Sequence, residues 1–525
     1  LMILVWTTTD VRSRFRIATA PLPLHTLSFD TIAFVGTATL LTDLWRAEGW
    51  LVPNGRVLTP EIWQALLGGL FLMTFLSWGW FAFVSPPRYG CRNAQRFGSF
   101  LLFKTMEGNE SELAILAQEL TRSLPNLVAA VPQSRPRHAA TSKGPQAEIP
   151  ICQRIAQEIF LLIGDPRFCR AMVSASPGTI QTLFLEMKKQ KRFDLPIYQF
   201  GRNVVEAAIE NRGSFLYHEG DGFYTGLLGY IRPVSQAVFG CHELVHAVDA
   251  LLDPDYKAVQ RWSADQWGAF NRAVLITFRD FVASDFWNHS VVLSRAFGFI
   301  GDAARDIYKL DGASEGSGWE EDSFQRLRAS VDFCKKALEI LDAKGVPEHI
   351  QLRIREDSPA YQRSAYDWLA DIMYDCIDHA SQVSKPWGLS WNIQHNSVWL
   401  EFFGGLSENT AAGRIVLFKL RRKLYDEIMD VESLPNYVNV RILGYCLNVM
   451  GLKPPIREYG RKWRPLHKAV LAWTVRHYAE LAQKSPQVFA DSLPAGMSYD
   501  TRGQRLVKTF QVNAFHEKPT RIYLD

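Results

Sequence analysis

The chain has 525 residues, with 58 basic against 54 acidic side chains. That length predicts two to four structural units at roughly 100–200 residues each, and the near-balance of charge argues against bulk attraction to nucleic acid, so no nucleic-acid partner is expected. The seven cysteines, Cys91, Cys152, Cys169, Cys241, Cys334, Cys376 and Cys446, are scattered singly without a C-x-x-C pair, which speaks against a disulfide framework or a cysteine zinc cluster and predicts reduced, mostly buried thiols in a cytosolic setting.

Residues 1–27 form a basic N-terminal segment carrying Arg12, Arg14 and Arg16. Its apolar residues 1–6 are too short for a signal-peptide core or a span, and are consistent with a truncated start. Residues 28–88 read as a membrane anchor. The stretch 62–84 has no charged side chain, is flanked by Trp63, Trp78 and Trp80, and stops at Pro86 and Pro87, as a span with interfacial tryptophans should. A weaker span lies at about 30–45, between Asp30 and Asp43. Arginines and lysines gather before the first span and after the second (Arg88, Arg92, Arg96, Lys104), whereas the connection holds only Arg46 and Arg56. Under the positive-inside rule this predicts a helical hairpin with both ends cytoplasmic, in a membrane of the bacterial inner (plasma) type. The alternative is a single span, with the first run lying in the interface.

A juxtamembrane helical region is expected over 89–131, with Asn109 capping a helix that has Glu112 at its third position. Residues 132–149 hold three prolines and little apolar bulk and read as a flexible linker. Residues 150–525 are expected to form one α-rich cytoplasmic domain. Its helical segments are 151–162, 204–209, a helix opened by a Ser263/Gln266 capping box, 324–341, 361–379, 414–429 and 466–481. Short strands or hairpins are expected at 214–228, 387–403 and 506–524. The predicted class is mainly α, an N-terminal transmembrane hairpin followed by a large helical body with a few β-hairpins. Neither a G-x-G-x-x-G nor a phosphate-loop pattern occurs, which disfavours a nucleotide-driven motor.

The sharpest motif is His242-Glu243-Leu244-Val245-His246. On a helix, positions four apart share a face, so His242 and His246 could ligate one zinc ion while Glu243 takes a proton from its bound water. The segment resembles the active-site helix of zincin metallopeptidases over about a dozen residues. That resemblance implies a zinc cofactor, a catalytic Glu243 and a third ligand from further along the chain. The third ligand is not identified by the sequence; Asp249, Asp253, Asp285, His289 and Glu320 are the available groups. The plainer expectation is an ordinary helix over 233–252, with Phe239, Leu244, Val245 and Val248 packed inward.

Two charged helices complete the inventory. Asp367, Asp371, Asp375 and Asp378, followed by His379, share one face of a helix, read either as a cation or partner site or as an acidic side turned to water. Arg414, Lys419, Arg421, Arg422 and Lys423, and later Arg461, Lys462, Trp463, Arg464 and Lys468, could lie against anionic lipid or form a solvated face. Two functional classes follow: a membrane-tethered scaffold, sensor or adaptor with the bilayer and other membrane or cytoplasmic proteins as partners, and a zinc-dependent peptidase.

Overall fold

The structure is a computed structural model and describes residues 10–50, 59–132, 149–219, 224–225, 229–230, 233–284, 290–314, 318–347, 363–405, 410–453, 463–510 and 520–524. The expected linker falls almost wholly outside these residues. Among the described residues helices dominate, joined by one minimal hairpin and one small sheet. The chain divides into two compact units, residues 1–238 with 243–251, and residues 239–242 with 252–525. Segments on either side of 132–149 therefore share one unit, and the division made by packing falls near residue 240.

In the first unit, α1 (Val11–Ala18) is opened by Asp10, whose side chain accepts from the Arg12 and Ser13 N–H groups. Next come α2 (Leu24–Ala47) and α3 (Pro60–Gly79), the latter capped by Thr59 and prolonged as a π-helical turn over Trp80–Val84. The first helix is thus longer than its apolar run suggested. Helices α2 and α3 pack against each other, and Gln64 donates to Asp43 across them at 2.7 Å.

The remainder of this unit is α4 (Ala94–Glu107), α5 (Glu110–Thr121), α6 (Leu124–Ala130), α7 (Ile151–Leu162), α8 (Pro166–Ala175), α9 (Pro177–Gln190) and α10 (Tyr198–Glu210). Asn109 caps α5 through the Glu112 N–H at 2.9 Å, as its sequence predicts. Packing of α4 on α7 brings Cys91 and Cys152, 61 positions apart, into a disulfide with a Cα–Cα distance of 5.0 Å. This corrects the expectation of reduced thiols throughout: spacing along the chain says nothing of which cysteines a helix pair makes adjacent. The expected β region at 214–228 is a helical turn, Phe215–His218, followed by the two-residue strands β1 (Tyr224–Thr225) and β2 (Gly229–Tyr230).

Helix α11 (Pro233–Phe239) is followed by α12 (His242–Val248) and a 3₁₀ turn at Ala250–Leu252. A single helix over 233–252 is therefore corrected to three pieces. The four residues expected to point inward, Phe239, Leu244, Val245 and Val248, are all buried.

The second unit contains α13 (Ala264–Ala283), α14 (Val291–Gly301) running into a 3₁₀ stretch at Asp302–Leu310, α15 (Asp322–Lys344), α16 (Ala365–Ser381), α17 (Ala411–Asp430), α18 (Tyr437–Met450) and α19 (Arg464–Lys484). The Ser263/Gln266 capping box is formed, and α15 ends at Gly345, whose φ of +82° a side chain would strain. Helix α16 lies at the centre, packed on α14, α15, α17, α18 and the 3₁₀ stretch. On its apolar side, Trp368 meets Phe297 at 5.8 Å and Phe281 at 6.2 Å, and Phe297 continues the cluster to Phe333.

The strands expected at 387–403 are instead a short helix, Trp387–Trp391, running into a π-helix, Asn392–Gly405. Its aromatic and β-branched residues carry strand propensity, but Ile393, Val398, Trp399, Phe402 and Phe403 find burial on helical neighbours, and tertiary packing overrides propensity. The C-terminal strands do form: β3 (Met497–Asp500), β4 (Arg505–Phe510) and β5 (Thr520–Leu524) pair antiparallel in that order.

Candidate functional site

The His242–His246 segment begins where Gly240 and Cys241 interrupt the helix. A carboxylate caps each piece: Glu219 accepts from the Val234 and Ser235 N–H groups at the start of α11, at 2.9 and 2.8 Å, and Asp280 accepts from the His242 N–H just after the break, at 2.8 Å. The segment ends at Asp249, in the left-handed region at φ +59°.

His242 is buried, 8% exposed, with its ring against Phe281 at 4.8 Å. Its Nε2 lies 2.9 Å from Ser290 Oγ, which also accepts the Leu293 N–H at the start of α14. The Ser290 hydroxyl thus pairs with the imidazole Nε2 while it also accepts a backbone N–H. Glu243 and His246 are exposed. Of the suggested third ligands, Asp253 pairs with Arg295 at 3.2 Å, Glu320 is exposed, and Asp285 and His289 lie outside the described residues. Among the described residues no group of three or more histidine, cysteine, aspartate or glutamate side chains could hold a metal ion.

The acidic helix and the basic helix meet each other. Asp367, 4% exposed, accepts from Lys419 Nζ at 2.5 Å and from the Ser364 N–H and hydroxyl at 2.8 and 2.7 Å. Burial works to raise its carboxyl pKa, but the bonds from Lys419 and Ser364 outweigh that and hold it below the usual carboxylate value. One turn on, Asp371 pairs with Lys423 at 2.7 Å and with Arg363. The Asp367–Asp371 end of this face of α16 therefore packs against α17, and Lys419 and Lys423 lie on protein. Arg422 pairs along its own helix with Asp426 at 2.7 Å. Of the second basic group, Arg461 and Lys462 lie outside the described residues, while Trp463 is buried.

Sequence reasoning missed a buried lysine. Lys508 on β4 is 2% exposed, bonded to the Asn448 carbonyl at 2.7 Å and its side-chain oxygen at 3.2 Å. Its ammonium also sits 5.0 Å from the Trp391 ring and 5.3 Å from that of Phe510. A lysine flanked by valine and threonine in a β pattern was the available signal.

The apolar helix pair is the third element. Two helical stretches, Thr26–Ala47 and Pro60–Val84, are 22 and 25 residues long, with 11% and 17% of their most apolar windows buried in the fold. At about 1.5 Å per residue either could cross a hydrocarbon core of roughly 30 Å. Leu40 and Met73 are 73% and 71% exposed. The outer ends of the hairpin are fastened together: Arg16 forms two bonds to Glu119 at 2.6 and 2.8 Å and one to the Ala82 carbonyl at 2.9 Å, while Asn93 and Arg96 donate to the Thr19 and Pro21 carbonyls.

No protein-family model, curated protein or solved structure matches the chain.

Proposed function

We propose that the protein is membrane-anchored through the Thr26–Ala47 and Pro60–Val84 hairpin and acts as a scaffold, sensor or adaptor through its helical body, without chemistry at the His242–His246 segment. The observation that carries this is the pair of long helices whose apolar side chains the fold leaves uncovered. Soluble proteins rarely expose contiguous apolar surface on that scale, and a bilayer would cover it. The arginines at the fastened ends support a cytoplasmic body. Alkaline carbonate extraction tests the anchor: the protein stays with the membrane pellet, and recovery in the supernatant defeats the proposal.

The Cys91–Cys152 disulfide favours a second orientation, since such bonds persist mainly in oxidising compartments. Labelling intact cells with a membrane-impermeant maleimide separates the two. A cytoplasmic body leaves Cys91 unlabelled with or without an impermeant reductant; labelling that appears on reduction puts the body outside. For the zinc alternative, metal content of detergent-purified protein is compared with His246→Ala. Near-stoichiometric zinc lost in the variant would restore the peptidase reading.

A further inference from the structure

The far end of α16 differs from the end neutralised by Lys419 and Lys423. Asp375 and Asp378 have no ion pair among the described residues, and the ring nitrogens of His379, itself 8% exposed, have no well-formed hydrogen bond there, only the Gly301 backbone close by. Asp378 Oδ1 is likewise buried and unbonded.

The Asp375 carboxyl is pressed onto the backbone where α14 ends. A Cβ built at Gly301 would stand 2.3 Å from Asp375 Oδ2, so only glycine admits it.

The groups facing this stretch can be named element by element. The 3₁₀ stretch brings Asp302 and Arg305, which lie 3.4 Å from each other; α17 brings Lys423, already held by Asp371, and Glu427 beside Tyr374; α18 brings Arg441, 3.8 Å from Asp491. Helix α15 brings the buried Cys334 thiol, α14 the Gly301 backbone, and the π-helix Gln394, which donates to the Ala380 and Val383 carbonyls. Each cation in reach is shared with another carboxylate. What remains to neutralise the stretch is a proton.

We propose that Asp375, Asp378 and His379 form a buried proton-binding site whose occupancy governs how tightly the Val291–Leu310 segment packs on α16. Burial, reinforced by Asp371, Asp302 and Asp378, pushes the Asp375 carboxyl up to about 7, and burial also raises Asp378 and lowers His379. With the proton bound, the carboxyl is neutral against the Gly301 backbone and can donate as well as accept. When the proton leaves to solvent, a negative charge appears beside Asp302, the residue after Gly301, and repulsion acts across the contact between α14 and α16. All the participating groups lie in the second unit, so the proposal stands apart from the membrane reading.

Hydrogen exchange of the full chain in detergent micelles tests it, read by mass spectrometry at about pH 6 and about pH 8 and corrected for the intrinsic pH dependence of exchange. Peptides from 291–310 should exchange about tenfold faster at the higher pH, the effect of roughly one pKa unit of differential binding, while peptides from 166–190 should not change. In Asp375→Asn the slow exchange should persist at both pH values. Equal corrected rates in the wild type, or the same acceleration in Asp375→Asn, overturn the proposal. Should that variant fail to fold, infrared titration of the wild type decides without it: a protonated-carboxyl band must disappear between the two pH values, and its absence overturns the proposal equally.

Discussion

Replacing Lys419 with methionine would leave the Asp367 carboxylate buried with its two Ser364 bonds at 2.8 and 2.7 Å but without its ammonium partner. Breaking a buried pair by removing one partner costs about 3–5 kcal/mol. The surviving Ser364 bonds set the expectation near the lower end, about 3 kcal/mol, which for a unit of this size lowers the thermal midpoint by roughly 6–12 °C. Near-UV circular dichroism of the detergent-solubilised protein reads the transition through its 16 tryptophans. The sign with pH is also fixed. Asp367 has a folded pKa below its unfolded value, so in the wild type its contribution is present above about pH 4 and is lost as pH falls through the folded value. In Lys419→Met burial has less opposition, the carboxyl rises, and the variant's deficit shrinks in acid. Adding Asp367→Asn should recover part of the loss, because a neutral amide keeps the Ser364 cap. A midpoint within about 2 °C of wild type at neutral pH would refute the reasoning, and with it the face-to-face packing of α16 on α17.

Lys508 supplies an opposite pH dependence: burial pushes its ammonium down from 10.5 to about 8. The folded state then prefers the neutral amine, so the cost of burying the charge is full below about pH 8 and is relieved as pH rises toward 10.5. Wild type should gain up to about 3 kcal/mol relative to Lys508→Met between about pH 7 and pH 10 in urea unfolding, and a flat difference would count against it. Two glycine substitutions in helices should part company. Gly444→Ala places a Cβ 2.6 Å from the Ser492 carbonyl oxygen and should cost about 1–3 kcal/mol, whereas Gly268→Ala meets nothing within 4 Å and should stabilise by about 0.5–1 kcal/mol in the same assay.

Local signals were legible wherever one helix decides its own fate. The Asn109 and Ser263 caps and the inward set Phe239, Leu244, Val245 and Val248 all stand where periodicity and capping chemistry put them. What failed to show was anything that depends on a partner. The acidic stripe on α16 and the basic stripe on α17 each looked like a solvated face, because a helix with charges along one side is indistinguishable from a surface helix until its neighbour is known. A joint signal did exist: Asp367 and Asp371 are four apart, as are Lys419 and Lys423, the register needed for two rungs across a helix pair. Cys91 and Cys152 show the same limit, and so does His242, whose partner Ser290 lies 48 positions away.

Charge compensation along α16 runs in one direction and then stops. Asp367 has Lys419 and two bonds from Ser364; Asp371 has Lys423 and Arg363; one turn further, Asp375 meets the α14 backbone and other carboxylates. A helix at the centre of six packed elements cannot simply expose the unbalanced end, since Ile372, Met373, Cys376 and Ile377 are buried between its charges. Desolvation of an unpaired carboxylate costs more than protonating it near neutral pH, so the turn without a cation is the turn where a proton is held. The two ends should then respond to opposite perturbations. Acid weakens the lysine-paired end by neutralising Asp367, and alkali weakens the other by charging Asp375, which confines the pH-sensitive packing to the corner formed by α14 and the 3₁₀ stretch.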